Sequence, residues 1–320
     1  MGMSCAICNS PLTTRIVEGV MTDERVYDIW FCKACKVGVA LPVPLREDLA
    51  LLYSAGSYRG EKGKRFSPFV ESFIHFSRNQ RKKRIKRYVS NGTILDIGCG
   101  RGLFLDIMRR DGWTVAGVEF DAHAASDVSE TYDIPVVSGE PSGWGFADGS
   151  FDVVTLSHVL EHLHNPVEMI RTCHRLLRKG GLLVCGTPNI ASLQASVGKG
   201  LWFHLDVPYH LYHFSEEGLV NLLRMHSFRI VRTRRFDVEY NPYGWLQTLL
   251  NISAIKRNYL YGLLKNPSLR EKEMANSRTR DLLLTLVLLP VYLPLSFALS
   301  VFESLVLKKG GTVEVYALRE

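Results

Sequence analysis

The order of apolar and polar positions divides the chain into stretches of different character. From residue 93 onward, short apolar runs alternate with segments of helical period. Runs at 93–97, 114–119, 134–138, 151–157 and 181–187 read as strands, and 102–111, 122–131, 166–178 and 215–226 as helices. That alternation is the signature of an α/β sheet. A further strand is expected at 228–236 and a last one at 313–319. Ahead of this block, 26–31 has the β-branched and aromatic content of a strand, and 41–63 carries prolines and glycines around a short helical stretch at 49–53. Residues 66–89 read as a helix, aromatic first and basic later. Near the other end, 282–302 is 21 residues without a charge.

Composition changes this picture in two places. With 46% hydrophobic and 22% charged residues the chain is ordinary globular material, which excludes collagen-like, low-complexity and wholly disordered readings. The net charge of +7 is concentrated: seven basic residues and no acid stand between Arg78 and Arg87, so the rest of the chain sums to zero. A basic helix of this kind fits an anionic lipid surface, with nucleic acid as the rival partner. The first residues lack the basic-then-apolar layout of a signal peptide, so a cytoplasmic protein with reduced thiols is expected. Four of its seven cysteines form two knuckles, Cys5-x-x-Cys8 and Cys32-x-x-Cys35. Two such pairs flanking a β-rich stretch can converge four thiolates on a structural zinc, with no open coordination position.

The first strand of the α/β block ends in LDIGCGRG, residues 95–102, and feeds a helix. Gly98, Gly100 and Gly102 let the backbone turn sharply and approach a ligand closely. The second strand ends at Glu119, 21 residues after Gly98, where a carboxylate can accept hydrogen bonds from a ribose diol. The glycine spacing is G-x-G-x-G rather than G-x-G-x-x-G, and Asp96 stands beside it. An acid there repels phosphate but suits a ligand with an ammonium group, a ribose and no phosphate.

These motifs, with GVE at 117–119, DGSFDVV at 148–154, HVLEH at 158–162, LLRKGG at 176–181, TPN at 187–189 and DVPYH at 206–210, resemble the class I S-adenosylmethionine-dependent methyltransferases. The likeness is to the broad type 11/23 group that includes ubiquinone-type O-methyltransferases. It implies a Rossmann-like seven-stranded sheet, here with an N-terminal zinc ribbon and a helical hydrophobic insertion before the last strand. It also implies that Asp96, Gly98, Gly100 and Gly102 line the methionine end of the cofactor, Glu119 binds the ribose and Phe120 packs beside the adenine. Glu140 stands where relatives carry an acid near the adenine amine, although PSGWG at 141–145 departs from the usual pattern. Ser157 and His158 are expected to face the reactive end.

Methyl transfer to a hydroxyl needs alignment and a proton acceptor, and histidine suits the latter near neutral pH. Seven of the ten histidines lie between His158 and His213. Of these, His158 and His210 are the expected catalytic pair.

The division expected is a ribbon at 1–45, a linker and basic helix at 46–92, a core at 93–236 completed by 312–320, and an insertion at 237–311. Within that insertion 282–302 is long enough to cross a bilayer, but Pro290 and Pro294 should break it, and a crossing would strand the closing strand on the far side. Arg278 and Arg280 before it and Lys308 and Lys309 after it give no charge asymmetry. A broken helix pair entering one leaflet is therefore expected, with Tyr240, Tyr243, Trp245, Tyr259 and Tyr261 at headgroup level and a buried hairpin as the alternative. The expected function is O-methylation of an amphipathic, lipid-linked or glycan-pathway small molecule by a peripheral or monotopic enzyme on the inner face of the cytoplasmic membrane. The rivals are an RNA methyltransferase gripping RNA with ribbon and basic helix, and a non-catalytic cofactor-binding scaffold.

Overall fold

A computed structural model describes residues 3–22, 25–45, 47, 49, 68–265 and 279–320. From Ala50 on, the helix expected at 49–53 lies outside the described residues, as does Arg278. Strands β1 (Thr14–Met21), β2 (Val26–Cys32) and β3 (Val37–Leu41) precede helix α1 (Pro68–Ile85). An alternating series follows: β4 (Thr93–Ile97), α2 (Leu103–Arg109), β5 (Thr114–Glu119), α3 (Ala122–Tyr132), β6 (Val136–Ser138), β7 (Phe151–Ser157), α4 (Pro166–Leu176) and β8 (Leu177–Pro188). The remaining elements are α5 (Leu193–Gly198), β9 (Tyr212–Phe214), α6 (Glu216–Met225), β10 (Phe228–Arg234), α7 (Asn241–Ile252), α8 (Tyr259–Lys265), α9 (Thr279–Leu305) and β11 (Thr312–Arg319).

The chain forms two compact units, and their boundaries differ from the four expected segments. One holds residues 74–187, 217–234 and 314–320; the other holds 1–73, 188–216 and 235–313. The ribbon, the stretch after β8 and the insertion thus share one unit.

The first of these units is built on a seven-stranded sheet in the order β10-β11-β8-β7-β4-β5-β6. The pairs β4–β5, β4–β7, β5–β6 and β7–β8 are parallel, and β10–β11 is antiparallel. Parallel strands covered on both faces need continuous apolar runs, and Ile94, Leu95, Ile97, Val153, Val154, Leu156, Leu182 and Leu183 are fully buried. The chain winds outward from β4 to β6, then returns to β7 on the other side of β4, so the strand order reverses between β4 and β7. Ligands of open α/β sheets bind at the carboxyl ends of strands at such a switch.

In the same unit the basic part of α1 is not a free charged face. Ile74, Ser77, Arg81 and Ile85 form one buried stripe at helical spacing. Lys82 and Lys86 reach Asp111 at 2.8 and 2.6 Å, and Arg81 and Arg84 lie 3.8 and 3.4 Å from Glu314. Four of the seven basic residues are thereby held in ion pairs within their own unit, which weakens the case for this helix as a lipid-binding strip.

In the other unit β1, β2, β3 and β9 form a four-stranded sheet. β9 pairs antiparallel with β3, Val37 opposite Phe214 and Val39 opposite Tyr212. Val20, Tyr27, Ile29 and Ala40 of the ribbon pack in one cluster with Ala195, Trp202, Leu205 and Val207. The ribbon is not free-standing: without β9, β3 would present an open edge.

The insertion holds α7, α8 and α9. Here the structure corrects the expected broken pair, because α9 runs unbroken for 27 residues through Pro290 and Pro294. Both prolines lie on the exposed side of the helix. The helix is inverted in polarity. It buries Thr285, Ser296, Ser300 and Glu303 and exposes Leu283, Leu286, Val287, Val291, Leu293, Leu295 and Phe297. Glu303 is fully buried and accepts a 2.9 Å hydrogen bond from the Trp245 indole as well as bonds from the Leu193 and Gln194 amides. Trp245 and Tyr259 are buried core residues rather than headgroup anchors, and Tyr259 packs among Leu246, Leu250, Ile255 and Leu260.

Candidate functional site

The glycine loop lies at the carboxyl end of β4 and takes the conformation its sequence demands. Gly98, Gly100 and Gly102 have φ of +72°, +58° and +70°, which side chains on L-residues rarely adopt. A β-carbon at Gly98 would stand 2.3 Å from Val159 Cγ2, and one at Gly102 would stand 2.4 Å from Val128 Cγ1. At Gly100 it would meet no atom of the described residues within 4 Å, so the loop opens onto free space at its middle. The Gly98 and Cys99 amides donate to the Val118 carbonyl at 2.8 and 3.0 Å, fixing the loop against the end of β5.

Glu119 ends β5 and completes the rim. Its carboxylate accepts from the Gly100 amide through Oε2 and from the Phe120 amide through Oε1, both at 2.9 Å. A carboxylate can accept from several donors at once, the chemistry a diol requires. Phe120, 38% exposed, offers an apolar ring next to it. Asp121 caps α3 by accepting from the Ala124 amide. Glu140 precedes a single helical turn at Pro141–Gly143, and the Trp144 indole donates to the Gly139 carbonyl at 2.9 Å, pinning the departing PSGWG stretch.

Asp96 is buried beneath the loop, where the Thr155 hydroxyl donates to it. Burial raises its carboxyl above the ordinary 3.8, against the Thr155 hydrogen bond and the positive field of Arg81 and Arg78. Burial likewise pushes the Cys99 thiol upward, so Cys99 is a packing residue of the loop and not a nucleophile.

The tip of β7 holds the second set. The Arg81 guanidinium donates to the Ser157 hydroxyl, and its carbon stands 5.3 Å from the centre of the Phe104 ring. His158 has φ +55°, a left-handed position for a residue with a side chain, and its amide donates to the Gly186 carbonyl at 2.8 Å. Strain of this kind costs on the order of 1–3 kcal/mol and gathers at functional sites. Behind the ring lies Glu161, 1% exposed, with Oε1 3.4 Å from His158 Nδ1.

Sequence reasoning missed Arg81, whereas Glu161 and His162 follow His158 in the sequence as residues of which one is expected to pack inward, and Glu161 is the buried one. Arg81 was masked by its basic neighbours, and only its spacing from Ile74 and Ile85 sets it on the inner stripe.

His210 stands in the other unit and is buried. Its Nδ1 lies 2.9 Å from the His204 carbonyl oxygen. A carbonyl can only accept, so Nδ1 carries the proton and Nε2 holds the lone pair of the neutral ring. His213 is oriented the opposite way, its Nε2 donating to the Leu205 carbonyl at 2.9 Å.

The four ribbon thiols converge. Cys5 Sγ lies 3.5 Å from Cys35 Sγ, Cys8 Sγ lies 3.5 Å from Cys32 Sγ, and all four sulfurs are within 4.8 Å of one another. Sulfurs held about 2.3 Å from a tetrahedral zinc stand roughly 3.8 Å apart, so the cluster is compatible with zinc. Hydrogen bonding with Cys35 lowers the Cys5 thiol from its ordinary 9.0 to about 5.

Residues 73–233, half of the chain, match the family described as the methyltransferase domain. The ubiquinone biosynthesis O-methyltransferase of a Caulobacter species is 36% identical over 138 residues, 39% of this chain and 53% of that protein. That of Pseudomonas paraeruginosa is 33% identical over 105 residues, 30% of this chain and 44% of that protein. The chain spans about half the length of the curated relatives it matches. A solved S-adenosylmethionine-dependent methyltransferase from Archaeoglobus fulgidus superposes with a TM-score of 0.49 at 20% identity, covering 85% of this chain and 99% of the other.

Proposed function

We propose, from the premise that this chain belongs to the methyltransferase-domain family, that it is an S-adenosylmethionine-dependent O-methyltransferase acting on an amphipathic acceptor at a membrane surface. The observation that carries the cofactor assignment is the open space at Gly100 beside Glu119. The rim offers a ribose-binding carboxylate, an exposed aromatic ring and close backbone approach, with an acid beneath it that disfavours phosphate. That set fits S-adenosylmethionine.

When bound, S-adenosylmethionine supplies a methyl group on a cationic sulfur, activated for displacement. Glu119 accepts the ribose hydroxyls and Phe120 covers the base. Arg78 and Arg81, whose positive field reaches Asp96, supply charge for the methionine carboxylate. His158 takes the acceptor hydroxyl proton, with buried Glu161 stabilising the ring as it becomes charged.

The membrane reading draws support from α9, whose outer face is leucine, valine and phenylalanine while its polar side chains point inward. Such a helix suits a lipid leaflet better than water. The acceptor that meets an enzyme there is a lipid-linked or glycan-pathway intermediate with a free hydroxyl. The ribbon zinc, held by Cys5, Cys8, Cys32 and Cys35, is structural in this reading because four thiolates leave no open position.

The test is transfer of a labelled methyl group from S-adenosylmethionine into fractionated lipid, glycan and RNA extracts. Label is expected in a lipid or glycan fraction and is lost with Glu119→Ala. Label confined to RNA overturns the acceptor class, and unchanged cofactor affinity in Glu119→Ala overturns the cofactor site.

A further inference from the structure

Helix α9 keeps its inverted polarity along its whole length. Its buried side runs from Asp281 through Thr285, Ser296 and Ser300 to Glu303, about 33 Å of helix. That side is fixed to its own unit at three levels. Near the start, Leu282, Leu284, Leu288 and Leu289 pack on the cluster of Leu246, Leu250, Ile255, Tyr259 and Leu260. At the midpoint the Tyr292 hydroxyl lies 2.9 Å from the Ser253 hydroxyl, in the turn between α7 and α8. At the end Glu303 holds the Trp245 indole and the Leu193 amide. The outer side is apolar over the same span, from Leu283, 57% exposed, to Leu305, 72% exposed.

Side-on attachment of this kind opposes a transverse placement. A helix standing across a bilayer puts its midpoint at the centre of about 30 Å of hydrocarbon. The midpoint of α9 is Tyr292, so the turn bonded to it would be drawn to the same depth. That turn carries Lys256 and Arg257, three and four residues after Ser253, and cations at the bilayer centre are costly. Laid parallel to the surface, the helix immerses its outer side alone and leaves the turn outside the hydrocarbon. The charges then select the surface. Asp281 and Glu303, the two acids of the helix, are buried, whereas Arg280 at its start is exposed. Lys308 and Lys309, exposed just past its end, stand roughly 40 Å from Arg280 along the axis. The outer side thus ends in cations in both directions, and the helix presents no carboxylate there. Lys309 lies in the field of Glu303, so Arg280 and Lys308 carry most of the attraction.

We propose that α9 lies parallel to the surface within one leaflet of an anionic phospholipid membrane, with Arg280 and Lys308 on headgroup phosphates at its two ends. Its exposed leucine, valine and phenylalanine side chains then sit among the acyl chains, and each end gains the attraction of a cation for an anionic surface. This rests on the membrane reading above and moves the lipid-attracting charge from α1, whose basic residues are held in ion pairs, to the ends of α9.

The test is co-sedimentation of the full chain with vesicles of phosphatidylcholine alone and of phosphatidylcholine mixed equally with phosphatidylglycerol. Binding should favour the mixed vesicles. Arg280→Gln and Lys308→Gln should each weaken it about fivefold, and Lys83→Gln/Lys179→Gln, which removes two exposed charges from the sheet-based unit, should leave it unchanged. Orientation is read separately from Leu283→Trp and Phe297→Trp, exposed positions about 21 Å apart on one face of the helix. Brominated phosphatidylglycerol should quench both new tryptophans at the same shallow depth. Equal binding to the two vesicles, or equal loss in the control variant, overturns the anionic partner and leaves the membrane reading standing. Quenching at different depths overturns the parallel placement. Binding to neither vesicle overturns the membrane reading itself and this proposal with it.

Discussion

Alanine substitutions at Gly98 and Gly100, two residues apart in one loop, should give opposite phenotypes. Both positions have left-handed φ, so either alanine costs about 1–2 kcal/mol in backbone strain. At Gly98 the new methyl also meets Val159 Cγ2 at 2.3 Å, and Val159 is itself buried and cannot withdraw freely. Overpacking of that kind adds about 1–3 kcal/mol, so Gly98→Ala should lose roughly 2–5 kcal/mol in all. At Gly100 the methyl meets nothing within 4 Å, so only the strain remains. It does, however, occupy the space in which the cofactor is expected, and should weaken S-adenosylmethionine binding at least about tenfold. Urea denaturation measures the first quantity and calorimetric titration the second. Equal stability losses in the two variants, or wild-type cofactor affinity in Gly100→Ala, would refute the reasoning.

Three further outcomes are expected. Burial alone would raise the Asp152 carboxyl, but the Thr93 amide and hydroxyl and the Arg178 guanidinium together hold it below the ordinary 3.8. The stability advantage of wild type over Asp152→Asn should therefore be full above pH 3.8 and shrink as pH falls through the lowered value; an advantage that grows on acidification contradicts the assignment. Purified protein should carry about one zinc per chain, and chelation should make the four ribbon thiols reactive while Cys99, Cys173 and Cys185 stay buried. Metal content unaffected by Cys5→Ser would remove that site. Val287→Lys/Val291→Lys, at positions 70% and 60% exposed, should abolish flotation with liposomes at little cost in stability; persistent flotation would move the contact elsewhere.

Much of the sheet-based unit was legible because its signals are local. Strands buried on both faces show as apolar runs, glycines mark left-handed turns, and a carboxylate at a strand tip follows from spacing alone. Long-range features were less accessible. Nothing near Tyr212 announces that it will pair with Val39, because a three-residue strand has too little pattern to choose a partner. Charge counting also misled at α1. Arg81, Lys82, Arg84 and Lys86 look like one basic strip, but their acidic partners Asp111 and Glu314 lie far along the sequence and meet them only after folding. In α9 the prolines were read as breaks, whereas the helix continues through them with Thr285, Ser296, Ser300 and Glu303 packed inward.

The pairing of β9 with β3 also sets a schedule for synthesis. The ribbon's third strand leaves the ribosome first, and the strand that covers its edge follows roughly 170 residues later, about 10–30 s at ordinary elongation rates. During that interval the nascent chain carries an unpaired, apolar strand edge. Metal capture by the four thiols can take place early, but the sheet cannot close until most of the sheet-based unit has been made. A fragment ending before residue 212 should therefore hold zinc and still aggregate, and any chaperone that attends this protein has its task at the first strands rather than the last.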